Sequence, residues 1–190
     1  MTKKRPRYTM ADLLVLNDVV SESFKETLSN AERPAKLYGK AVPDTLNGLT
    51  YGQLIELQEA TDPITQIAAC ANAVLGVNDM NVIMAEDGVA SFGFLLWIKR
   101  ELERINGLFK ELEYQPTPEE VQAGYYSLRG GRFATLDWYA RRMGITNHDD
   151  VLAVSWLIYY ECKRIDHEQF LFQRRVQDIR DAKAKARTRR

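Results

Sequence analysis

The chain is poor in the residues that most often carry site chemistry. It has two cysteines and two histidines among 190 residues. Cys70 and Cys162 stand far apart, each among apolar neighbours and with no Cys-x-x-Cys spacing. That excludes a disulfide scaffold and a zinc ribbon, and predicts buried free thiols in a reducing compartment. Glu161, Cys162, Asp166, His167 and Glu168 crowd together. On a helix, however, Cys162 and Asp166 share a face while His167 turns about 100° away, and there is no Glu-x-x-His pair to build a carboxylate-bridged centre. No metal site is expected. Ser155 and Cys162 sit in an apolar segment without a nearby base, and no Gly-x-Ser-x-Gly is present. Arg129-Gly130-Gly131-Arg132 lacks the lysine and the preceding strand of a phosphate loop. Acid pairs such as Glu86 with Asp87, or Glu101 with Glu103, read as surface charge. The sequence therefore predicts a non-enzymatic protein with no catalytic residues and no cofactor.

Long apolar runs are missing too. Nothing approaches the ~18 residues needed to cross a bilayer, and the basic start lacks a signal-peptide core, so a cytoplasmic protein without membrane contact is expected. Charge of one sign is absent overall: 26 basic residues balance 26 acidic ones. Their distribution is uneven. Lys3, Lys4, Arg5 and Arg7 give the first seven residues +4, and residues 180–190, with Arg187, Arg189 and Arg190 at the end, carry +5. The body between is at −9. Two basic tails flank an acidic body, and nucleic acid is a candidate partner for Lys3, Lys4, Arg5, Arg187, Arg189 and Arg190; solubilising ends are the plainer reading.

No run alternates with period two, which excludes a strand-based core and predicts an all-α fold of about six to seven helices. Thr9 and Asp12 open a first helix carrying Met10, Leu13, Leu14, Leu16, Val19, Val20, Phe24 and Leu28. Residues 33–48 hold Pro34, Gly39, Pro43 and Asn47-Gly48, with an extended possibility at residues 36–42. They read as an irregular arm, long enough to suggest a contact segment. Thr50 and Gln53 form a capping box. Asp62-Pro63 opens a further helix that Gly76 closes. Gly88 precedes a long helix, apolar from Val89 to Ile98 and then reduced to a seam of Ile98, Leu102, Ile105, Phe109 and Leu112. Thr117-Pro118-Glu119-Glu120 is another helix start, and Phe133 to Met143 another helix. Segments 49–75 and 132–159 share a helix, break, apolar-helix outline that an internal duplication would explain, as would any two helix pairs.

The stretch from Asp149 to Asp181, some thirty residues, contains no proline or glycine. Val151, Val154, Ile158, Cys162, Ile165, Gln169, Phe172, Val176 and Ile179 step along it by threes and fours. The part up to Tyr160 reads as core. Asp166, with Gln169 three residues on, reads as a cap at which the helix bends or breaks. Ile165, Phe170, Phe172, Val176 and Ile179 lie beyond the expected body and are the candidate protein interface. The organisation expected is a basic tail (1–8), a helical domain (9–165) and a helical extension with a basic tail (166–190).

Two resemblances bear on function. Tyr139-Ala140-Arg141-Arg142-Met143-Gly144-Ile145-Thr146 resembles the turn of a helix-turn-helix module, with Gly144 at the turn and Thr146 as cap. The next helix opens Asn147-His148-Asp149-Asp150, placing carboxylates where phosphates would lie. More broadly, Leu49-Thr50-Tyr51-Gly52-Gln53-Leu54-Ile55-Glu56-Leu57, Arg132-Phe133-Ala134-Thr135-Leu136-Asp137 and Phe170-Leu171-Phe172-Gln173-Arg174-Arg175 resemble small helical assembly proteins of tailed bacteriophages over residues 45–180. The resemblance implies a head–tail connector (portal adaptor ring) subunit that meets its own copies and portal or tail proteins, in the virion, or a tail-assembly chaperone in the host cytoplasm. A small DNA-binding protein is the alternative.

Overall fold

The computed structural model describes residues 8–15, 21–128 and 130–188. Among them lie ten α-helices, two short 3-10 turns and one two-stranded ribbon, so the fold is all-α as the periodicity predicts. The helices outnumber the expected six or seven because the first run restarts at the extended Ser21, residues 80–85 form a short helix of their own, and the last run is divided after Leu152. The chain folds as two compact units, Met1–Gly107 and Leu108–Arg190. Their boundary falls inside the helix Gly88–Lys110, without the Pro- or polar-rich linker by which sequence usually marks one.

In the first unit, residues 8–10 run beside residues 86–88. The Met10 N–H donates to the Glu86 carbonyl at 3.0 Å and the Gly88 N–H to the Tyr8 carbonyl at 2.7 Å. Thr9 and Asp12 cap helix α1 (Met10–Val15) reciprocally, with bonds of 2.8 and 3.2 Å. The expected continuous helix to Leu28 does not form. Ser21 is extended, with φ −61° and ψ 150°, and opens a separate α2 (Glu22–Ser29). The Ser21 carbonyl accepts from the Phe24 and Lys25 N–H groups at 2.9 and 3.1 Å, which starts the new helix. Leu16, Val19 and Val20 lie outside the described residues, as do Lys3, Lys4, Arg5, Arg189 and Arg190.

The segment expected as an arm is latched onto its own unit instead. Strands β1 (Lys36–Leu37) and β2 (Lys40–Ala41) pair antiparallel around Tyr38 and Gly39, both at positive φ. Leu37, Val42, Leu46 and Leu49 are buried. The Lys40 ammonium donates to the carbonyls of Leu75 and Gly76 at 2.6 and 3.1 Å, and the Tyr38 N–H donates to the Glu86 carboxylate at 3.0 Å. Arg33 donates to the carbonyls of Val42 and Pro43 and pairs with Asp44. The latch has a simple cause: an apolar residue recurs every few positions, Tyr38 and Lys40 donate to acceptors on the body, and Arg33 ties the loop to itself.

The capped helices form where the residues place them. The box at Thr50 and Gln53 opens α3 (Tyr51–Glu59). Asp62 accepts from the Thr65 N–H at the start of α4 (Pro63–Leu75), which Gly76 ends in the left-handed conformation, φ 60°. Asp79 then caps α5 (Met80–Ala85), and α6 (Gly88–Lys110) follows. Met10, Leu13, Ile67, Ala71 and Ile83 make one core cluster of this unit, with Phe24, Leu28, Met84 and Leu95 against it. Gly93 is buried on α6 because the chain crosses it: a Cβ there would overlap the Glu32 carbonyl oxygen.

In the second unit, Thr117 and Glu120 complete the capping box of α7 (Pro118–Gln122), and a 3-10 turn follows at Tyr125–Ser127. Helix α8 (Gly131–Met143) starts two residues earlier than expected and ends at Gly144 in the left-handed conformation. Asn147, not Thr146, caps α9 (His148–Leu152), which stops after five residues. The chain turns through Ala153 to Ser155 before α10 (Trp156–Thr188). The helix α9 has no counterpart in residues 49–75, so the two segments differ in element order. The core is aromatic. Tyr159 lies 5.1 Å from Tyr139, 5.5 Å from Trp138 and 6.2 Å from Phe109, whose ring is also 6.3 Å from that of Trp156.

Two measurements check these arrangements. Gly93→Ala should cost about 2–3 kcal/mol, because a backbone carbonyl cannot rotate away as a side chain can; thermal unfolding should show a lowered midpoint with unchanged helix content. Glu101 accepts from Arg104 and from the Leu46 N–H at 3.1 Å, and these hold its carboxyl below the usual 4.5. The stability it adds is present above that value and is lost as pH falls through the lowered one. Urea unfolding of Glu101→Gln should therefore differ from wild type by about 1 kcal/mol at neutral pH and converge with it in acid well below pH 4.5.

Candidate functional site: the two faces of the C-terminal helix

Helix α10 is one uninterrupted rod of 33 residues, about 50 Å long at 1.5 Å per residue. The break expected at Asp166 is absent. Asp166 is occupied elsewhere: its carboxylate accepts from the Trp138 indole N–H at 3.2 Å and pairs with Arg142 at 3.0 Å, both on α8. With its side chain drawn to a neighbouring helix, it does not cap its own backbone, and the helix continues.

At about 100° per residue, the rod presents two distinct faces. One carries Trp156, Tyr159, Lys163, Asp166 and Phe170, and meets the rest of the second unit; Trp156 and Tyr159 are fully buried. The other carries Ile158, Cys162, Ile165, Gln169, Phe172, Val176 and Ile179, and lies about 120° round the helix. Ile158 is 54% exposed, Ile165 39%, Phe172 54% and Ile179 56%. Cys162 and Val176 are half-buried. Four of the five residues expected at an interface thus form one stripe. Phe170 does not join them: it is 42% exposed, but its ring stands edge-on to Tyr114 at 5.1 Å on the other face. Ile158, expected in the core, belongs to the stripe. Its seven-residue spacing from Ile165 was the signal for that.

The inner face of α10 borders a cleft of about 590 Å³ within the second unit, walled by Tyr114, Trp138, Tyr159 and Phe170, with Lys163 and His167 on its rim. Burial lowers the Lys163 ammonium from its usual value, and Glu113 opposes that shift. The Tyr114 hydroxyl donates to Glu120 and, with the Thr117 N–H, holds that carboxylate below its usual range. Sequence reasoning did not find this cleft, because its walls come from three separate segments.

Other candidates resolve as follows. Cys70 is buried in the first unit, and burial pushes its thiol up to about 12; Cys162 is only half-buried, against the expectation, because it lies on the stripe. Among the described residues, no three His, Cys, Asp or Glu side chains are grouped to hold a metal ion. No described helix is long and apolar enough to cross a membrane. The Gly144 turn leads to α9, of five residues, with Asp149 and Asp150 exposed at its start. Arg187 is exposed in the last turn of α10, and the other basic residues assigned to nucleic acid lie outside the described residues. No protein-family model, curated protein or solved structure matches the chain.

The role of Asp166 is open to direct measurement. Asp166→Ala should cost about 1–2 kcal/mol, because it removes the acceptor for both Trp138 and Arg142 in a half-buried setting. Asp166→Asn, which keeps an acceptor, should cost less, and denaturant unfolding followed by tryptophan fluorescence reads both.

Proposed function

We propose that the chain is a non-enzymatic assembly protein of the tailed-bacteriophage kind, a head–tail connector subunit that works as a homo-oligomer through protein–protein contacts. The observation that supports this is the apolar stripe on α10. Large side chains at residues 158, 165, 172 and 179 stand open to solvent along a helix already fixed by its opposite face. Leaving large apolar side chains unburied in a continuous row is unfavourable unless another surface covers them. Portal or tail proteins are the further partners this reading implies, and a tail-assembly chaperone uses such a surface in the same way. The basic residues near both ends supply phosphate or acidic-surface contacts.

Sedimentation or mass photometry of the full chain tests the proposal. An oligomer is expected, and Phe172→Asp should shift it to smaller species while leaving the thermal midpoint within the small change usual for an exposed site. A DNA-binding protein behaves differently: it binds duplex with affinity that falls steeply as salt rises, and removing residues 182–190 flattens that slope. A monomer with such salt-dependent DNA affinity would replace the assembly reading.

A further inference from the structure

We propose that the α10 stripe is a self-association surface on which a second copy of the chain lies antiparallel, so that Glu168 of each copy meets Arg175 of the other. The inference rests on the reading of the chain as a homo-oligomeric assembly protein and names the partner and geometry of one contact. A two-fold contact closes at two copies, so a larger ring would use an additional surface.

The stripe has the spacing of a helix-pairing seam. Ile158, Cys162, Ile165, Gln169, Phe172, Val176 and Ile179 follow steps of four and three without interruption. That is three heptads, with isoleucine or phenylalanine at one core position and Cys162, Gln169 and Val176 at the other. Alternation of this kind keeps a seam on one side of two helices that wind around each other, and α10 is continuous throughout it. A single polar residue such as Gln169 within the seam costs stability but helps fix register.

Charge selects the direction. The first part of α10, to Phe170, carries three acids (Glu161, Asp166, Glu168) against Lys163 and Arg164 and is at −1. The remainder carries six bases (Arg174, Arg175, Arg180, Lys183, Lys185, Arg187) against Asp178 and Asp181 and is at +4. Two such helices attract head to tail along their length and repel when aligned in parallel.

The flanking positions sharpen the choice. In a parallel pair Glu161 would face Asp166 of the second copy and Arg175 would face Arg180, two like-charge contacts that each occur twice. In the antiparallel pair centred between Gln169 and Phe172, Cys162 lies opposite Ile179 and Ile165 opposite Val176. Glu168 then faces Arg175 twice, and no like charges meet across the seam. Glu168 and Arg175 flank the side of the stripe away from the unit's own core; Glu168 already pairs with Arg164 of its own helix at 2.5 Å, so the second copy's Arg175 would add to or replace that exposed pair, and Arg175 has no ion-pair partner among the described residues. The packing agrees. The half of α10 that is committed to its own unit, up to Phe170, would lie over the free half of the other helix, which places the two bodies at opposite ends.

The test uses the full chain and three variants, with sedimentation read against concentration and circular dichroism as the check on folding. Arg175→Glu should weaken the dimer about tenfold, since two attractive pairs become repulsive, and Glu168→Arg combined with Arg175→Glu should restore it. A parallel pair predicts the reverse for the single variant, because the introduced carboxylate would then attract Arg180. Ile179→Cys should form an intermolecular disulfide with Cys162 on mild oxidation by diamide. A Cys162–Cys162 disulfide in the wild-type chain, or a dimer tightened by Arg175→Glu, would overturn the antiparallel pairing. An oligomer indifferent to all three variants would overturn the α10 contact and leave the assembly reading standing, whereas a chain monomeric at every concentration would remove both.

Discussion

The commitment of one face of α10 to an aromatic core is the constraint on which the second unit depends. Trp156 and Tyr159 are fully buried, and Tyr139, Trp138 and Phe109 close around them. Aromatic side chains bury large areas in few rotamers, so such a cluster fixes the rotation of the helix about its own axis. Once that rotation is fixed, the stripe about 120° away has no choice of orientation. Ile158, Ile165, Phe172 and Ile179 face outward because Trp156 and Tyr159 are buried on the opposite side. The Asp166 bonds to Trp138 and Arg142 reinforce the same rotation through polar geometry, which is more directional than apolar contact.

The first unit solves a different problem. Its loops carry many backbone donors and acceptors close to an apolar core, and burial without partners would be costly. Long side chains answer this. Lys40 reaches the C-terminal carbonyls of α4, where the helix dipole also favours a cation. Arg33 spans the loop to Val42, Pro43 and Asp44. Glu101, on α6, accepts from the Leu46 backbone while Arg104 holds it charged. The apolar residues of the same loop, Leu37, Val42, Leu46 and Leu49, then bury without stranding the polar atoms between them.

Functionally, these two modes of stabilisation leave different kinds of surface. In the first unit the irregular segment is latched to its own unit through buried apolar residues and long side chains. In the second, the polar and aromatic contacts concentrate on one side of α10, and the opposite side remains apolar, regular and accessible. A regular helical face is suited to repeated, self-complementary recognition, because the same spacing recurs in each copy. That is why the candidate site is a surface rather than a pocket, although the second unit also holds a cleft between Tyr114 and Trp138.

What the sequence by itself determined was local. Caps at Thr50, Asp62 and Thr117, the stops at Gly76 and Gly144, the all-α class and the seam from Ile165 to Ile179 depend on neighbours within a few residues, and chain-local chemistry is written directly in the order of residues. What only the tertiary structure decided depended on distant partners. Whether Asp166 capped its own helix or served Trp138 and Arg142, and whether residues 33–48 projected or latched, turned on acceptors and donors up to dozens of positions away. So did the separation of Phe170 from Phe172: both are phenylalanines two residues apart, but a step of two on a helix turns about 200°, and only the position of Tyr114 fixed which of them packs on its own unit.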